Sequence, residues 1–406
     1  MKHQVWPYLA LAAVVILGAP ARASDWPNWR GPLHNGVSSE TNWLSQWPAD
    51  GPKVLWKASV GAGFSSITVA NGRAYAAGNR QDSDTIWCFD AATGSNLWKY
   101  SYPSPLDPNQ YEGGPSATPT IDEGRVYMFS KKGGLYCLDA ETGRIIWFVN
   151  VPIAVSAASP FWGYAGSVLV QGNLLILNVG SRGAAVDKTA GTVAWSTGTE
   201  TAGYSSPVPF SFLGIPSAVI VSAQAVSCTD VKSGRQLWSR PWKTMYGLNI
   251  TDPVISGNTV FVSSGYNLGA CLFRAGATAP AIWENMSLRT QFNSSVLADG
   301  FLYGVDGLIN NPGDGALKCL DFDTGAEKWS YKGLGGGGLM VAGGKIIMLS
   351  DRGELVVADA SPDGFHPISR AQVLDPKCWT VPTLANGRIY CRNAKGDLVC
   401  LDVTVK

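Results

Sequence analysis

The chain has 406 residues, 46% of them hydrophobic and 15% charged, and its 31 Lys and Arg against 30 Asp and Glu leave a net charge of +1. That balance describes a core-rich globule and excludes the basic footprint of a nucleic-acid binder or of a cationic membrane-surface protein. The only histidines are His3, His34 and His366, too few for a His-rich metal centre or a Ser-His-Asp arrangement, so neither a metal site nor catalytic residues are expected.

Lys2 precedes an apolar run over residues 8–19, followed by the small residues Ala21 and Ala23, two apart. The run is shorter than the about 20 apolar residues a span needs, so residues 1–23 are expected to be a cleaved signal peptide. The first cysteine is Cys88, which leaves no lipid-anchoring thiol beside that leader. A periplasmic or secreted mature chain without a transmembrane segment follows. Residues 24–53 form a Trp/Pro-rich extension without strand alternation. Its Trp26, Trp29 and Arg30 are expected either to plug an end or edge of the fold or to make a binding patch.

From Val54 onward one frame recurs: a small residue, an apolar one, Asp, a turn with Gly, then Trp. Asp90/Gly94/Trp98 returns as Asp139/Gly143/Trp147, Asp187/Gly191/Trp195, Asp230/Gly234/Trp238 and Asp321/Gly325/Trp329. Phe273, Gly276 and Trp283 mark a degenerate copy in which Phe replaces the acid, and Asp359 and Asp402 begin two more. Copies fall roughly 40–50 residues apart, the period of a repeat architecture. Within a period the chain is all strand and turn, as in residues 124–130, the turn Lys131-Lys132-Gly133-Gly134, and Leu135-Tyr136-Cys137-Leu138. Four-stranded antiparallel sheets packed face to face around an axis bury faces that no single small sheet can bury. The eight anchors therefore predict an all-β, eight-bladed β-propeller over residues 54–406. Residues 54–60 carry Trp56 without an Asp half, and residues 400–403 carry Asp402 without a Trp. The two halves complete one another, so the N-terminal strand is expected to close the ring by pairing into the last blade.

The pattern small-x-Asp-x-x-Thr/Ser-Gly-x-x-x-Trp resembles the tryptophan-docking repeat of pyrroloquinoline-quinone (PQQ)-type eight-bladed propellers, with the copies at Asp90, Asp139, Asp230 and Asp321 matching best. The resemblance implies that Trp56, Trp98, Trp147, Trp195, Trp238, Trp283 and Trp329 each pack over a small residue and a Gly peptide of the neighbouring motif. It also implies two very different functions, quinoprotein alcohol or sugar dehydrogenases and non-catalytic BamB-like scaffolds of outer-membrane protein assembly, between which fold does not choose. No two cysteines are adjacent to cover a quinone, and there is no Cys-x-x-Cys-His for a haem. The scaffold reading is preferred, with protein partners in the cell envelope, a monomeric chain and no cofactor; PQQ and Ca²⁺ belong to the dehydrogenase alternative. A glycan-binding propeller is a third reading.

The Pro- and Ser-rich segments that lead into each innermost strand converge on the axis. Glu112, Trp162, Tyr164, Tyr204, Asn249, Gln291, Asn293 and Trp379 are expected to line one funnel mouth suited to a ligand or an extended peptide. Residues 80–84 and 306–314 read as longer hairpin loops and a second candidate partner surface. Cys88, Cys137, Cys228, Cys271, Cys319 and Cys400 share a strand position in different blades and are expected to be free core thiols. A hairpin turn at Lys395-Gly396 would set Cys391 opposite Cys400, and a cross-strand disulfide is expected there.

Overall fold

A computed structural model describes residues 24–109, 111–308 and 314–405; the expected signal peptide lies outside them. The Asp that opens each repeat turn explains why the chain folds back where it does. Asp90 Oδ1 accepts the Ala92 and Thr93 amides at 3.0 and 2.8 Å and the Thr93 hydroxyl at 2.9 Å, and Gly94 takes the left-handed φ of 73° that completes the turn. The Thr93 hydrogen bonds hold the Asp90 carboxyl below its usual range. Asp139 with Thr142 and Asp321 with Thr324 repeat the device.

Each such turn joins the third and fourth strands of a blade, and the described residues form eight antiparallel meanders. Blade 1 is Thr68–Ala70, Arg73–Arg80, Ser83–Asp90 and Asn96–Pro103; blade 2 is Thr120–Asp122, Arg125–Phe129, Gly134–Asp139 and Ile145–Asn150. Blades 3 to 7 follow in order to Gln372. In blade 8, Thr383–Ala385, Arg388–Arg392 and Asp397–Asp402 take their fourth strand from the other end of the chain: Lys53–Ser59 pairs with Asp397–Asp402, setting Trp56 across from Cys400. The ring closes as the two half-repeats implied.

The third and fourth strands share a local irregularity. Six tryptophans sit opposite a small residue beside a register shift: Cys88↔Trp98, Cys137↔Trp147, Ala185↔Trp195, Cys228↔Trp238, Cys319↔Trp329 and Cys400↔Trp56. The indole then reaches the next blade. Trp98 Nε1 donates to Ala140 O at 3.0 Å, and its ring lies where a Cβ on Gly143 would come within 2.5 Å. Trp56, Trp147, Trp195, Trp283 and Trp329 make the equivalent donation to Ala91, Lys188, Val231, Phe322 and Ser361. Trp238 departs from the expectation. The next motif is the degenerate one, its Gly276 is covered by Phe212, and the Trp238 Nε1–H meets no acceptor, its ring packing edge-on against Phe273 at 5.8 Å.

Two further expectations change. The last hairpin pairs Tyr390 with Cys400 and Cys391 with Val399, because residues 393–397 form its loop with Asn393 N–H donating to Asp397 O. A register one residue away puts Cys391 and Cys400 on opposite faces of the sheet, so the expected disulfide is not formed and all eight cysteines are free. The supposed loop at 80–84 is a two-residue turn, with Arg80 paired to Ser83 and Gln81 and Asp82 at φ 50° and 57°. The other supposed loop includes residues 309–313, outside the described residues.

The N-terminal extension is ordered and structural. Val37–Ser38 adds a parallel strand to blade 7, Trp43 bridges Thr404, and Glu40 accepts the Asn386 and Gly387 amides of blade 8. Further upstream Trp26 bridges Val69, and Pro27 O accepts the Ile121 amide at the far end of an innermost strand. The extension thus spans that end of the axis and ties together blades that are distant in sequence. Arg392, fully buried in blade 8, adds a clamp across the ring join by donating to Ser65 O, Ala77 O and Gly61 O; burial without a counter-ion lowers its pKa to about 9.

Candidate functional site

A belt of hydrogen bonds around the axis positions the site. Five hydrogen bonds link six successive blades just ahead of their innermost strands, each made by a side chain that accepts an amide from the blade before: Ser66 N–H donates to Thr118, Thr118 to Ser167, Ser167 to Ser206, Ser206 to Asp252 and Asp252 to Ser294, all at 2.7–2.9 Å. Blades 7 and 8 use Gly338 and Val381 instead, packed so closely that a Cβ on Gly338 would lie 2.8 Å from the Val381 Cα. Side chains just before the belt face a common funnel of about 810 Å³.

Asp252 is the one acid in the belt, and the N-terminal extension meets it there. Trp29 Nε1 donates to Asp252 Oδ2 at 2.6 Å, while Arg30 donates to Ser295 O at 2.6 Å and to Asn35 O at 2.9 Å. Burial raises the Asp252 carboxyl above the usual range, with Arg30 opposing it; burial lowers Arg30 in turn. Trp29 lines the funnel, whereas Pro27, Asn28, Leu33 and His34 line a separate cleft at the other end of the inner strands. The extension is therefore a plug, and Trp29 is the floor of a funnel with one mouth.

Of the eight residues expected at that mouth, Trp162, Tyr204, Gln291, Asn293 and Trp379 line the funnel. Glu112 stands behind the wall, its carboxylate 3.0 Å from Nζ of Lys377, which does line it. Tyr164 is a correction: the chain turns at Gly163, φ 77°, and the ring packs inward against Phe129 at 5.0 Å. Asn249 is another. Leu248 and Ile250 line the funnel, and Asn249 between them turns inward to donate to Ser222 O and Trp242 O at 2.8 Å, sealing the end of blade 4.

Sequence reasoning missed Phe64, Tyr111, Tyr266 and Phe292. The signal was present: Phe64-Ser65-Ser66 and Phe292-Asn293-Ser294 align with Tyr204-Ser205-Ser206 through the belt serine. Phe64 and Phe292 stack on Trp379 at 5.6 and 4.5 Å, and Lys377 Nζ lies 4.1 Å over the same indole.

The sequence matches the family described as outer membrane protein assembly factor BamB over residues 36–110, 82–331 and 313–405, which together span the whole propeller. The chain belongs to the BamB family. It is 25% identical to BamB of Burkholderia pseudomallei, a match covering 72% of this chain and 81% of that protein. Among solved structures, BamB from Moraxella catarrhalis superposes with a TM-score of 0.65 at 18% identity, over 87% of this chain and all of that one. A quinohemoprotein alcohol dehydrogenase from Comamonas testosteroni superposes nearly as well, TM-score 0.64 at 15% identity over 96% of this chain and 82% of that one. These likenesses show the fold.

The dehydrogenase neighbour makes a test of fit necessary. A quinone bearing carboxylates with a calcium ion needs cationic side chains and a cluster of acids. Among the described residues, the charged ones that line the funnel are Asp252 and Lys377. Asp252 is taken by Trp29 and the Ser206 amide, and Lys377 by Glu112. Among the described residues no group of three His, Cys, Asp or Glu is disposed to hold a metal. The residues present do not fit the quinone and calcium pair.

Proposed function

We propose that this BamB-family chain is a non-catalytic propeller of the cell envelope, exported to the periplasm, that acts by binding protein partners in outer-membrane protein assembly. The observation that carries this reading is the lining of the funnel. Its charged groups are already partnered within the protein, and the remainder among the described residues is aromatic rings, the aliphatic Ala165, Leu248 and Ile250, amides and hydroxyls, with no acid–base pair or nucleophile held ready for chemistry. Family membership adds the partner class, since the matched family is named for outer-membrane assembly.

A partner surface is suggested by the shoulder of blades 2 and 3. The outermost strand of blade 2, Ile145–Asn150, carries no charged residue, and Ile146 and Phe148 on it are 46% and 50% exposed. Just beyond, Ile153 and Phe161 are 76% and 74% exposed. Exposed apolar side chains close together along the chain, as these are, are a feature of interaction sites. The test is deletion of the gene in the source organism with quantification of outer-membrane β-barrel proteins. Loss of those proteins, restored by the wild-type chain and poorly by a Phe148→Ser/Ile153→Ser double variant, supports the reading. Unchanged outer-membrane protein levels refute it.

A further inference from the structure

We infer that the funnel is a binding site for the end of a neutral oligosaccharide. This inference goes beyond the partner-binding reading and does not rest on it, because Phe148 and Ile153, on which that reading is tested, are not among the funnel-lining residues.

Three features select the ligand class. The first is shape. Trp29, held by Asp252, closes the floor, so a ligand enters and leaves by one mouth, and a strand threading the axis is excluded. The volume of about 810 Å³ lies inside the roughly 300–1,000 Å³ range of small-molecule sites.

The second is charge. Lys377 is spent on Glu112 and on the Trp379 ring, and Asp252 on Trp29 and the Ser206 amide. Among the described residues a charged ligand finds no free counter-charge in the lining, and it loses its hydration on the way in. A free peptide terminus is disfavoured on the same ground.

The third is the kind of surface. Flat rings at Trp162, Tyr204 and Tyr246 stand with a circle of serines and with Gln291 and Asn293, whose side chains are held in place by amide N–H donation to the Tyr266 hydroxyl and to Gly336 O and Gly337 O. Pyranose rings present just this mixture, an apolar C–H face for an aromatic ring and equatorial hydroxyls for amides and hydroxyls. Tyr246 adds an observation of its own. It is 73% exposed and held at φ 95°, a conformation costly for a bulky residue, at the rim of the funnel. A ring kept outside the core in a strained backbone is placed for something that arrives from solvent.

The test uses the purified chain lacking residues 1–23 and four neutral trisaccharides: chitotriose, cellotriose, maltotriose and mannotriose. Binding is followed by calorimetry and by tryptophan fluorescence, with trigalacturonate and a tripeptide as charged comparators. At least one neutral trisaccharide should bind saturably at millimolar concentration or below, and the charged comparators should not. Trp162→Ala and Tyr246→Ala should each weaken that binding about tenfold or more, with Trp162→Phe restoring most of it. Tyr246→Ala guards against misfolding, since an exposed, strained residue can be truncated without opening the core. The inference is overturned if no neutral trisaccharide binds, if a charged comparator binds better, or if both alanine variants bind like wild type. A failure here leaves the partner-binding reading standing, because that reading is scored by outer-membrane protein levels.

Discussion

Replacing Gly143 by Ala separates two contributions that the repeat combines in one residue. Gly143 has φ 70°, and a Cβ there would lie 2.5 Å from the Trp98 ring. Gly124, one hairpin away in the same blade, has φ 74° and nothing within 4 Å of its would-be Cβ. Gly124→Ala therefore reports the left-handed backbone alone, about 1–2 kcal/mol. Gly143→Ala carries that cost and also displaces an indole that is 8% exposed and hydrogen-bonded to Ala140 O. Losing the hydrogen bond costs about 1 kcal/mol, and full eviction of the ring approaches the roughly 3–5 kcal/mol of a buried aromatic truncated to Ala. The second variant should thus be at least about 2 kcal/mol less stable than the first, read from urea midpoints by circular dichroism. In a Trp98→Ala background the difference should vanish, since the clash has no partner. Equal losses for the two glycines, or a difference that survives removal of Trp98, would refute the claim that this ring locks blade 1 to blade 2.

Other consequences are as direct. A chain beginning after Ser59 loses the strand that covers Asp397–Asp402 and should elute as aggregates in size-exclusion chromatography, whereas one beginning at Lys53 should keep a closed ring. Arg392→Ala leaves buried carbonyls at Gly61, Ser65 and Ala77 without their donor and should lower stability by about 3 kcal/mol or more; Arg392→Lys should not restore it, because a point charge does not reproduce a planar fork. Burial pushes the Asp306 carboxyl up, but the Arg289 hydrogen bonds and the Lys318 charge outweigh it and hold the pKa below the usual value. A depressed carboxylate contributes stability that is present above the unfolded pKa, about 3.9, and is lost as pH falls through the folded value, so Asp306→Asn should flatten the fall in urea midpoint below about pH 4. Thiol titration of the denatured, unreduced protein should return all eight cysteines.

The fold was legible because its signal is local and repeated. An Asp that caps its own turn, a Gly that must adopt positive φ and a Trp that needs a small residue opposite it recur in register, so blade count and ring closure follow from spacing. Blade 5 shows the limit: with Phe273 in place of Asp, its register moves so that Trp283 faces Leu272 and Cys271 faces Glu284, and the upstream Trp238 loses its acceptor. The funnel was half legible. Residues leading into the inner strands have no period of their own, so which of two neighbours turns inward is decided by tertiary contacts. Asn249 turned away because unpaired carbonyls at Ser222 and Trp242 needed a donor, and Tyr164 because Gly163 reverses the chain. The misplaced disulfide had the same root, a hairpin loop of different length that shifted every pairing by one residue.

The central claim, a propeller whose funnel performs no redox chemistry, is tested most directly by titrating the purified chain with pyrroloquinoline quinone and Ca²⁺ in a calorimeter while following dye reduction with alcohols and sugars. The account predicts no stoichiometric quinone binding and no substrate-dependent dye reduction, because Lys377 and Asp252 are already partnered within the protein. One quinone bound per chain, with turnover that follows the substrate, would contradict it and make the funnel an active site.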